Sequence, residues 1–231
     1  KDLRNLIPYE LDNVRIRYYA TNNSNGYATG IDFKLNGEFV KGVESWFSMS
    51  FMSTREDLTD DFYYNYFNEN GERTVPGDPF YPVADSSIVY PGFIPRPTEQ
   101  LFSFAAFFQD YVPGNPTYKV NILLYLASGL PTGPPSYNRY EDILRMPWYR
   151  RVDIGFTKDF LIDKNLNRSK LGRSRAFSKF KSFGLAVEIF NLLDIRNTIS
   201  YRWLRDFNGN YYGIPNYLTL RQINIKLQAR F

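Results

Sequence analysis

Short runs in which apolar and polar residues alternate recur along most of this chain. The last of them, RQINIKLQARF, is apolar at the odd positions from Ile223 to Phe231 and polar at the even positions from Asn224 to Arg230. A period of two places successive side chains on opposite faces of a β-strand. The pattern therefore predicts a C-terminal strand with one apolar face and one polar face.

The same alternation predicts seven earlier strands, so that about eight antiparallel strands make up a single all-β domain over residues 1–231. Between the apolar positions stand charged, amide and small residues. The apolar positions of these strands are Val14, Ile16 and Tyr18; Ile31, Phe33 and Leu35; Phe47, Met49 and Phe51; Phe102, Phe104, Ala106 and Phe108; Val120, Ile122, Leu124 and Leu126; Val152, Ile154 and Phe156; and Phe183, Leu185, Val187 and Ile189.

The connections between these strands fall into two kinds. Residues 36–41 and 110–115 are short and rich in turn formers, whereas residues 56–98 and 130–147 are long. With alternating strand directions, the long connections lie at one end of the sheet. Residues 162–181 break this rule at the short end; from Lys164 onward they are basic and contain no acid, which indicates a solvated loop or, less simply, a contact for an anionic partner.

Two architectures fit this pattern: a transmembrane β-barrel and a soluble antiparallel sandwich. Strands near ten residues, aromatic residues at strand ends and a polar face that mixes both charges favour the barrel. No apolar run is long enough for a spanning helix. The mean hydropathy of -0.42 is compatible with a barrel, because only alternate residues of each strand face lipid.

Composition limits the chemistry. The chain has no cysteine and no histidine, which removes disulfides, thiolate sites, the commonest zinc ligand and the usual general base. We therefore predict no catalytic site, no metal and no cofactor. The net charge of +4 is small, and basic and aromatic residues do not interleave along a continuous stripe, so nucleic acid is not an expected partner.

Three stretches of the sequence resemble motifs of one protein family: residues 145–156, 188–197 and 212–219. They resemble motifs in the C-terminal barrel of TonB-dependent outer-membrane receptors, especially the Bacteroidetes-type receptors related to the SusC-like group. The second stretch is similar to the family's Asn-Leu-Phe-Asp element, with Leu193 in place of the aromatic residue. Phe231 resembles the terminal signal that the outer-membrane assembly machinery reads.

The resemblance implies a place in a larger assembly. Such receptors have a 22-stranded barrel closed by a plug, so this chain is expected to be the C-terminal third. Its partners would be the rest of the barrel and the plug, in the same gene or a separate chain, the TonB system acting through the plug, a possible surface lipoprotein lid and outer-membrane lipids. The long loops would be extracellular and the C-terminus periplasmic in a Gram-negative bacterium.

The implied function is import of a bulky nutrient, such as a glycan, a peptide or a metal chelate, into the periplasm; the alternative is a non-transporting barrel that acts as an anchor or adhesin. Flat aromatic rings in the long loop either stack on such ligands or pack the loop against itself or a lid. These candidate ligand contacts are Tyr63, Tyr64, Tyr66, Phe67, Phe80 and Tyr81.

Other polar residues of the connections have simpler interpretations. The acids Asp57, Asp60, Asp61 and Glu69 match no calcium-loop spacing and are expected to form a hydrated surface cluster. Asn197, Asn208 and Gly209, near the last hairpin, are interpreted first as turn formers and second as ligand contacts.

Overall fold

The computed structural model is all-β and describes residues 1–12, 15–41, 43–135, 138–141, 143–161, 174, 179–207 and 211–230. Strands account for 64% of the chain, and the described ranges contain no helix. Within those ranges there is accordingly no helix that could cross a membrane.

Long strands form the sheet, and shorter ones lie in the connections between them. In chain order the strands are β1 (Asp2–Leu6), β2 (Tyr9–Asp12), β3 (Arg15–Tyr18), β4 (Ser24–Val40), β5 (Val43–Asp57), β6 (Tyr63–Phe67), β7 (Arg73–Thr74), β8 (Asp85–Val89), β9 (Phe93–Pro95), β10 (Phe102–Val112), β11 (Asn115–Ala127), β12 (Pro131–Thr132), β13 (Leu144–Arg145), β14 (Tyr149–Leu161), β15 (Ser182–Phe190), β16 (Thr198–Arg205), β17 (Tyr211–Tyr217) and β18 (Gln222–Arg230).

The main sheet is an antiparallel meander of eight strands. Its order is β1-β4-β5-β10-β11-β14-β15-β18, and β9 adds to the end of β5. From β4 onward, every main strand pairs with the next main strand along the chain. The predicted antiparallel arrangement is confirmed, and seven of the eight predicted strands are members of this sheet.

The first strand of the sheet differs from the prediction. Val14 lies outside the described residues, and Arg15–Tyr18 form β3, which pairs only with β2 in a separate hairpin. The main sheet instead begins at β1, where Asp2 pairs with Tyr27. The prediction was wrong because alternation shows that a strand has two unlike faces but not which strand lies beside it.

The register joins the predicted apolar positions into rows across one face, which we call the apolar face. A central row is Phe108, Ile122, Ile154, Ile189 and Ile223. The next position along each strand forms a row on the opposite, polar face: Gln109, Asn121, Gly155, Glu188 and Asn224.

Many side chains of the apolar face are exposed, and no other described part of the chain covers them. Ile31 is 74% exposed, Ile225 is 68% exposed, and Phe33 and Phe156 are also exposed. Among the described residues, polar buried side chains outnumber apolar ones, and the buried polar set includes Ser24, Ser45, Thr54, Glu56, Asp61, Asn68, Glu99, Ser128, Asp153, Asn191 and Asn197. Four of these buried side chains carry carboxyl groups, which are rarely buried in proteins unless they are paired.

The two ends of the sheet differ as predicted. At the turn end, β4 and β5 are joined across the Val40–Val43 pair, and β10 and β11 by a turn in which Gly114 has a φ of 76°. At the opposite loop end, residues 58–101, 128–148 and 191–221 connect the strands and carry the smaller sheets β7-β6-β8, β12-β13 and β16-β17. The basic 162–181 connection lies almost entirely outside the described residues, as do Asn208, Gly209 and Phe231.

Candidate binding surfaces at the loop end

The predicted aromatic residues lie in and around the small sheet β7-β6-β8. Tyr63 pairs with Val89 across β6 and β8, and the rings of Tyr64 and Tyr66 stack with their centroids 6.0 Å apart. The ring of Tyr63 stacks on Tyr140 in the next loop, at 6.4 Å. Part of the aromatic set therefore packs the loops against one another.

The structure brings three of the six predicted ligand contacts to one cleft. Tyr63, Tyr64 and Tyr66 line an open cleft of about 710 Å³, together with Arg73, Asp78, Asn138 and Glu141. The other three contacts, Phe67, Phe80 and Tyr81, are not part of this lining. Phe80 and Tyr81 are exposed on a turn whose backbone amides donate to the Asp78 carboxylate.

A buried carboxylate, Glu99, fastens the long loop to the sheet. It is fully buried and accepts hydrogen bonds from Ser53 Oγ at 3.0 Å and from the Thr54 amide at 3.2 Å. It also pairs with the Arg145 guanidinium, and Arg55 Nε lies 3.7 Å away. Glu99 thus joins the 58–101 loop, the 128–148 loop and the end of β5.

A second buried carboxylate, Glu56, extends this anchor to the N-terminal hairpin. It pairs with Arg139, and Arg96 Nε lies 3.5 Å from it. Arg139 also lies over the ring of Tyr9, at 3.8 Å, and donates to its hydroxyl at 3.1 Å. Burial raises the pKa of Tyr9 to about 12, so this hydroxyl keeps its proton. Sequence reasoning missed both anchors, because nothing local separates Glu56 and Glu99 from solvated acids.

Two asparagines in the 188–197 stretch act on the backbone. The Asn197 amide accepts from the Arg150 N–H and donates to the Arg150 carbonyl, both at 2.8 Å. Asn191 closes a turn by bonding both backbone groups of Ile195. Asn197 was interpreted as a turn former; in the structure its side chain takes the place of a neighbouring strand and bonds the backbone at the start of β14.

A cavity of about 420 Å³ lies on the polar face, near the loop end. Its lining includes Leu123, Tyr125, Tyr149 and Arg151 from β11 and β14, and Ile199 from the β16-β17 hairpin. The Tyr125 and Tyr149 rings meet edge to face at 5.2 Å, and Arg151 pairs with Asp153 at 2.8 Å. The sequence did not indicate this cavity, because its residues are spaced as ordinary strand positions.

The acids of the long loop do not behave as one group. Asp60 and Glu69 are exposed, as a hydrated cluster requires, but Asp61 is only 8% exposed. Its Oδ2 atom has no hydrogen-bond partner. Burial, together with the nearby charge of Asp57, raises the pKa of Asp61 to about 6. The expectation of a surface cluster was thus wrong for Asp61, because the loop folds over it.

Within the described ranges, no three acidic, histidine or cysteine side chains are placed to hold a metal ion. Comparison with known proteins adds no assignment, since no protein-family model, no curated protein and no solved structure matches the chain.

Proposed function

We propose that this chain is a section of the wall, with its surface loops, of an outer-membrane β-barrel transporter that imports a bulky nutrient. The observation that carries the proposal is the continuous, uncovered apolar face of the main sheet, opposite a polar face and buried ion pairs. In this arrangement the apolar face meets lipid, and the polar face lines the lumen.

The exposure of the apolar face favours lipid over water as its neighbour. Soluble monomers rarely expose contiguous apolar patches larger than a few hundred Å². A soluble sandwich would cover this face with a second sheet, but residues such as Ile31, Phe33 and Ile225 are exposed, and no other described sheet packs over them. In a bilayer the same face is solvated by acyl chains.

The two edges of the sheet support a larger barrel. Among the described residues, the outer edge of β18 has no strand partner, and beyond Ala28 the edge of β4 that faces away from β5 has none either. In hydrocarbon, each unpaired backbone group is costly, so these edges need further strands. We propose that the rest of a 22-stranded barrel, as the family resemblance implies, supplies them, together with a plug driven by the TonB system.

The loop end provides the surface for ligand capture. The cleft between Tyr63, Tyr64 and Tyr66 offers aromatic faces beside polar groups, a combination that suits glycans, peptides and chelates. Phe80 and Tyr81 are exposed toward a partner such as a lipoprotein lid. In this orientation the loops are extracellular and the turn end is periplasmic.

Membrane insertion can be tested with single cysteines, because the chain contains none of its own. Phe33→Cys and Ile225→Cys lie on the apolar face, and their neighbours Lys34→Cys and Lys226→Cys lie on the polar face. In outer-membrane vesicles, a lipid-confined reagent should reach the first pair and a water-soluble maleimide the second. Equal labelling of all four by the water-soluble reagent would refute insertion.

Import is tested separately from insertion. Cells with and without the gene are compared for uptake of pooled oligosaccharides, peptides and iron chelates, with TonB present or deleted. A transporter gives uptake that needs both the gene and TonB, and Tyr63→Ala/Tyr64→Ala/Tyr66→Ala reduces it. An anchor or adhesin leaves uptake unchanged in every strain.

A further inference from the structure

A cavity beside Asp61 is the strongest unassigned feature of the loop end. It has a volume of about 370 Å³, within the usual range for small-molecule sites. The 58–61 segment forms one wall, the N-terminal hairpin region contributes Tyr9 and Tyr19, and the second long loop contributes Arg139 and Tyr140. Three phenol rings thus surround a cavity that contains a buried acid.

The charges around this cavity do not balance. Arg139 is buried against Glu56 and is committed to that pair. Asp60 is exposed, and Glu141 accepts a hydrogen bond from Asn138 at 3.1 Å. Asp61 Oδ2 has no hydrogen-bond partner among the described residues; the carboxyl is bonded only by the Asp61 backbone, and the charge of Asp57 acts on it as well. Burying a carboxylate with an unpartnered oxygen is costly, so a cation held in the cavity that Asp61 lines would be favoured by this charge.

We infer that this cavity binds the ammonium group of an organic amine, with Asp61 as its counter-ion and the rings of Tyr19 and Tyr140 as its walls. Aromatic rings attract ammonium groups through their negatively charged faces. A metal ion suits the site less well, because the described residues supply no set of three ligands. The inference goes beyond the proposed function, since amine binding can be measured whether or not the chain transports anything.

Tyr140 links this cavity to the aromatic cleft. Burial raises the pKa of the Tyr140 hydroxyl, and the charges of Glu141 and Asp61 add to the rise, so Asp61 lies within electrostatic reach of this ring. The ring of Tyr140 also stacks on Tyr63, which lines the cleft. An amine held by Asp61 would therefore be separated from the cleft proposed for ligand capture by the stacked rings of Tyr140 and Tyr63.

The test uses the full chain in detergent at pH 7.5, with choline and n-butylamine as probes and calcium chloride and glucose as comparisons. Affinity is measured by calorimetry, and local order by hydrogen–deuterium exchange of residues 57–66, since loops open independently of the rest of a protein. Both amines should bind and slow this exchange. Asp61→Asn should weaken binding about ten-fold or more, because it removes the counter-ion.

The matched control is Glu69→Gln, which removes an exposed acid from the same loop. It should leave amine binding unchanged. Without amine, Asp61→Asn should itself slow exchange in the loop, because it removes an unpaired buried charge. The inference is overturned if neither amine binds, if calcium binds in preference, if Glu69→Gln weakens binding equally, or if Asp61→Asn accelerates exchange.

Discussion

Single polar side chains at the loop end complete the backbone hydrogen bonding where strands begin. Asn197 bonds both the N–H and the carbonyl of Arg150, although the two residues are 47 positions apart. Asn191, whose φ of 51° suits asparagine, closes the turn that runs from Asn191 to Ile195, just before Asn197. Asp194 accepts from the Arg221 amide and thereby holds the start of β18. These backbone bonds account for the polar side chains of Asn191, Asp194 and Asn197.

Replacing Asn197 tests this explanation. Asn197→Ala removes two hydrogen bonds and leaves the Arg150 backbone groups without them, so we expect the free energy of unfolding to fall by about 2–4 kcal/mol. Urea denaturation measures the change. Asn216→Ala, which loses one exposed bond to Ser200, is the control and should have little effect. Equal effects of the two variants would contradict the explanation.

Asp61 gives a second residue-scale prediction, on pH dependence. Its pKa is about 6 in the folded chain and about 3.8 when unfolded, so the folded form binds more protons between these values. Stability contributed by this group is complete below pH 4 and is lost as pH rises toward 6, by about 2–3 kcal/mol. Hydrogen exchange of residues 57–62 should therefore be slower at pH 4.5 than at pH 7 after correction for intrinsic rates. Asp61→Asn should abolish that difference.

At the scale of elements, the long loops are fixed by buried ion pairs rather than by a hydrophobic core. Glu99 joins two loops to β5, and Glu56 adds the N-terminal hairpin through Arg139 and Tyr9. Both acids are almost completely buried, so their charges have little contact with solvent. Paired buried charges hold a specific arrangement, whereas losing one partner is strongly destabilising. We therefore expect the loops to be held together as one anchored unit.

Removing Glu99 should release that unit. Glu99→Ala leaves the Thr54 amide and the Arg145 guanidinium without their acceptor, and the expected loss of stability is about 3 kcal/mol. Because both loops lose the same anchor, limited proteolysis should cut residues 128–148 as well as residues 85–101. Glu69→Ala, at an exposed position, is the control. Protection of the 128–148 loop in Glu99→Ala would show that the anchor is local.

At the scale of the whole molecule, the two faces of the main sheet differ in polarity and therefore favour different environments. Ile225 is 68% exposed in a row with Val187 and Phe156, whereas its neighbour Lys226 pairs with Ala186 on the polar face. In a bilayer, contact with lipid is favourable for the apolar face, and a charge on that face is unfavourable. The two residues are adjacent in sequence but should respond to substitution in opposite ways.

Introducing a charge on each face tests this directly. If the sheet spans a membrane as proposed, Ile225→Lys near the bilayer midplane should lower its stability by about 2–4 kcal/mol, because a lysine would meet hydrocarbon. Lys226→Gln should change stability little. Urea unfolding from lipid vesicles measures both variants. In a soluble protein, Ile225→Lys would instead improve solubility and leave the fold intact.

Much of the fold was predictable because the controlling signal is local. Phe183, Leu185, Val187 and Ile189 reveal a two-faced strand by their spacing alone, and turn residues such as Gly114 mark the short connections. Alternating strand directions then placed the long connections at one end. The β1 strand was missed because five residues with two charges show no clear alternation. Only half of the predicted ligand contacts lie together: Tyr64 and Tyr66, for example, line the cleft, whereas Phe80 does not.

The sequence by itself determined seven of the eight main strands, their two faces and the asymmetry of the connections, because alternation is a local property of residues two positions apart on a pleated backbone. Tertiary structure alone decided that Glu99 and Asp61 are buried, that Asn197 serves β14, and that β1 rather than β3 begins the sheet. Those outcomes depend on contacts between distant residues, such as Tyr9 and Arg139, which are 130 positions apart. No local pattern records such a separation, so only the folded chain reveals that Glu99 is paired and that, among the described residues, Asp61 Oδ2 has no hydrogen-bond partner.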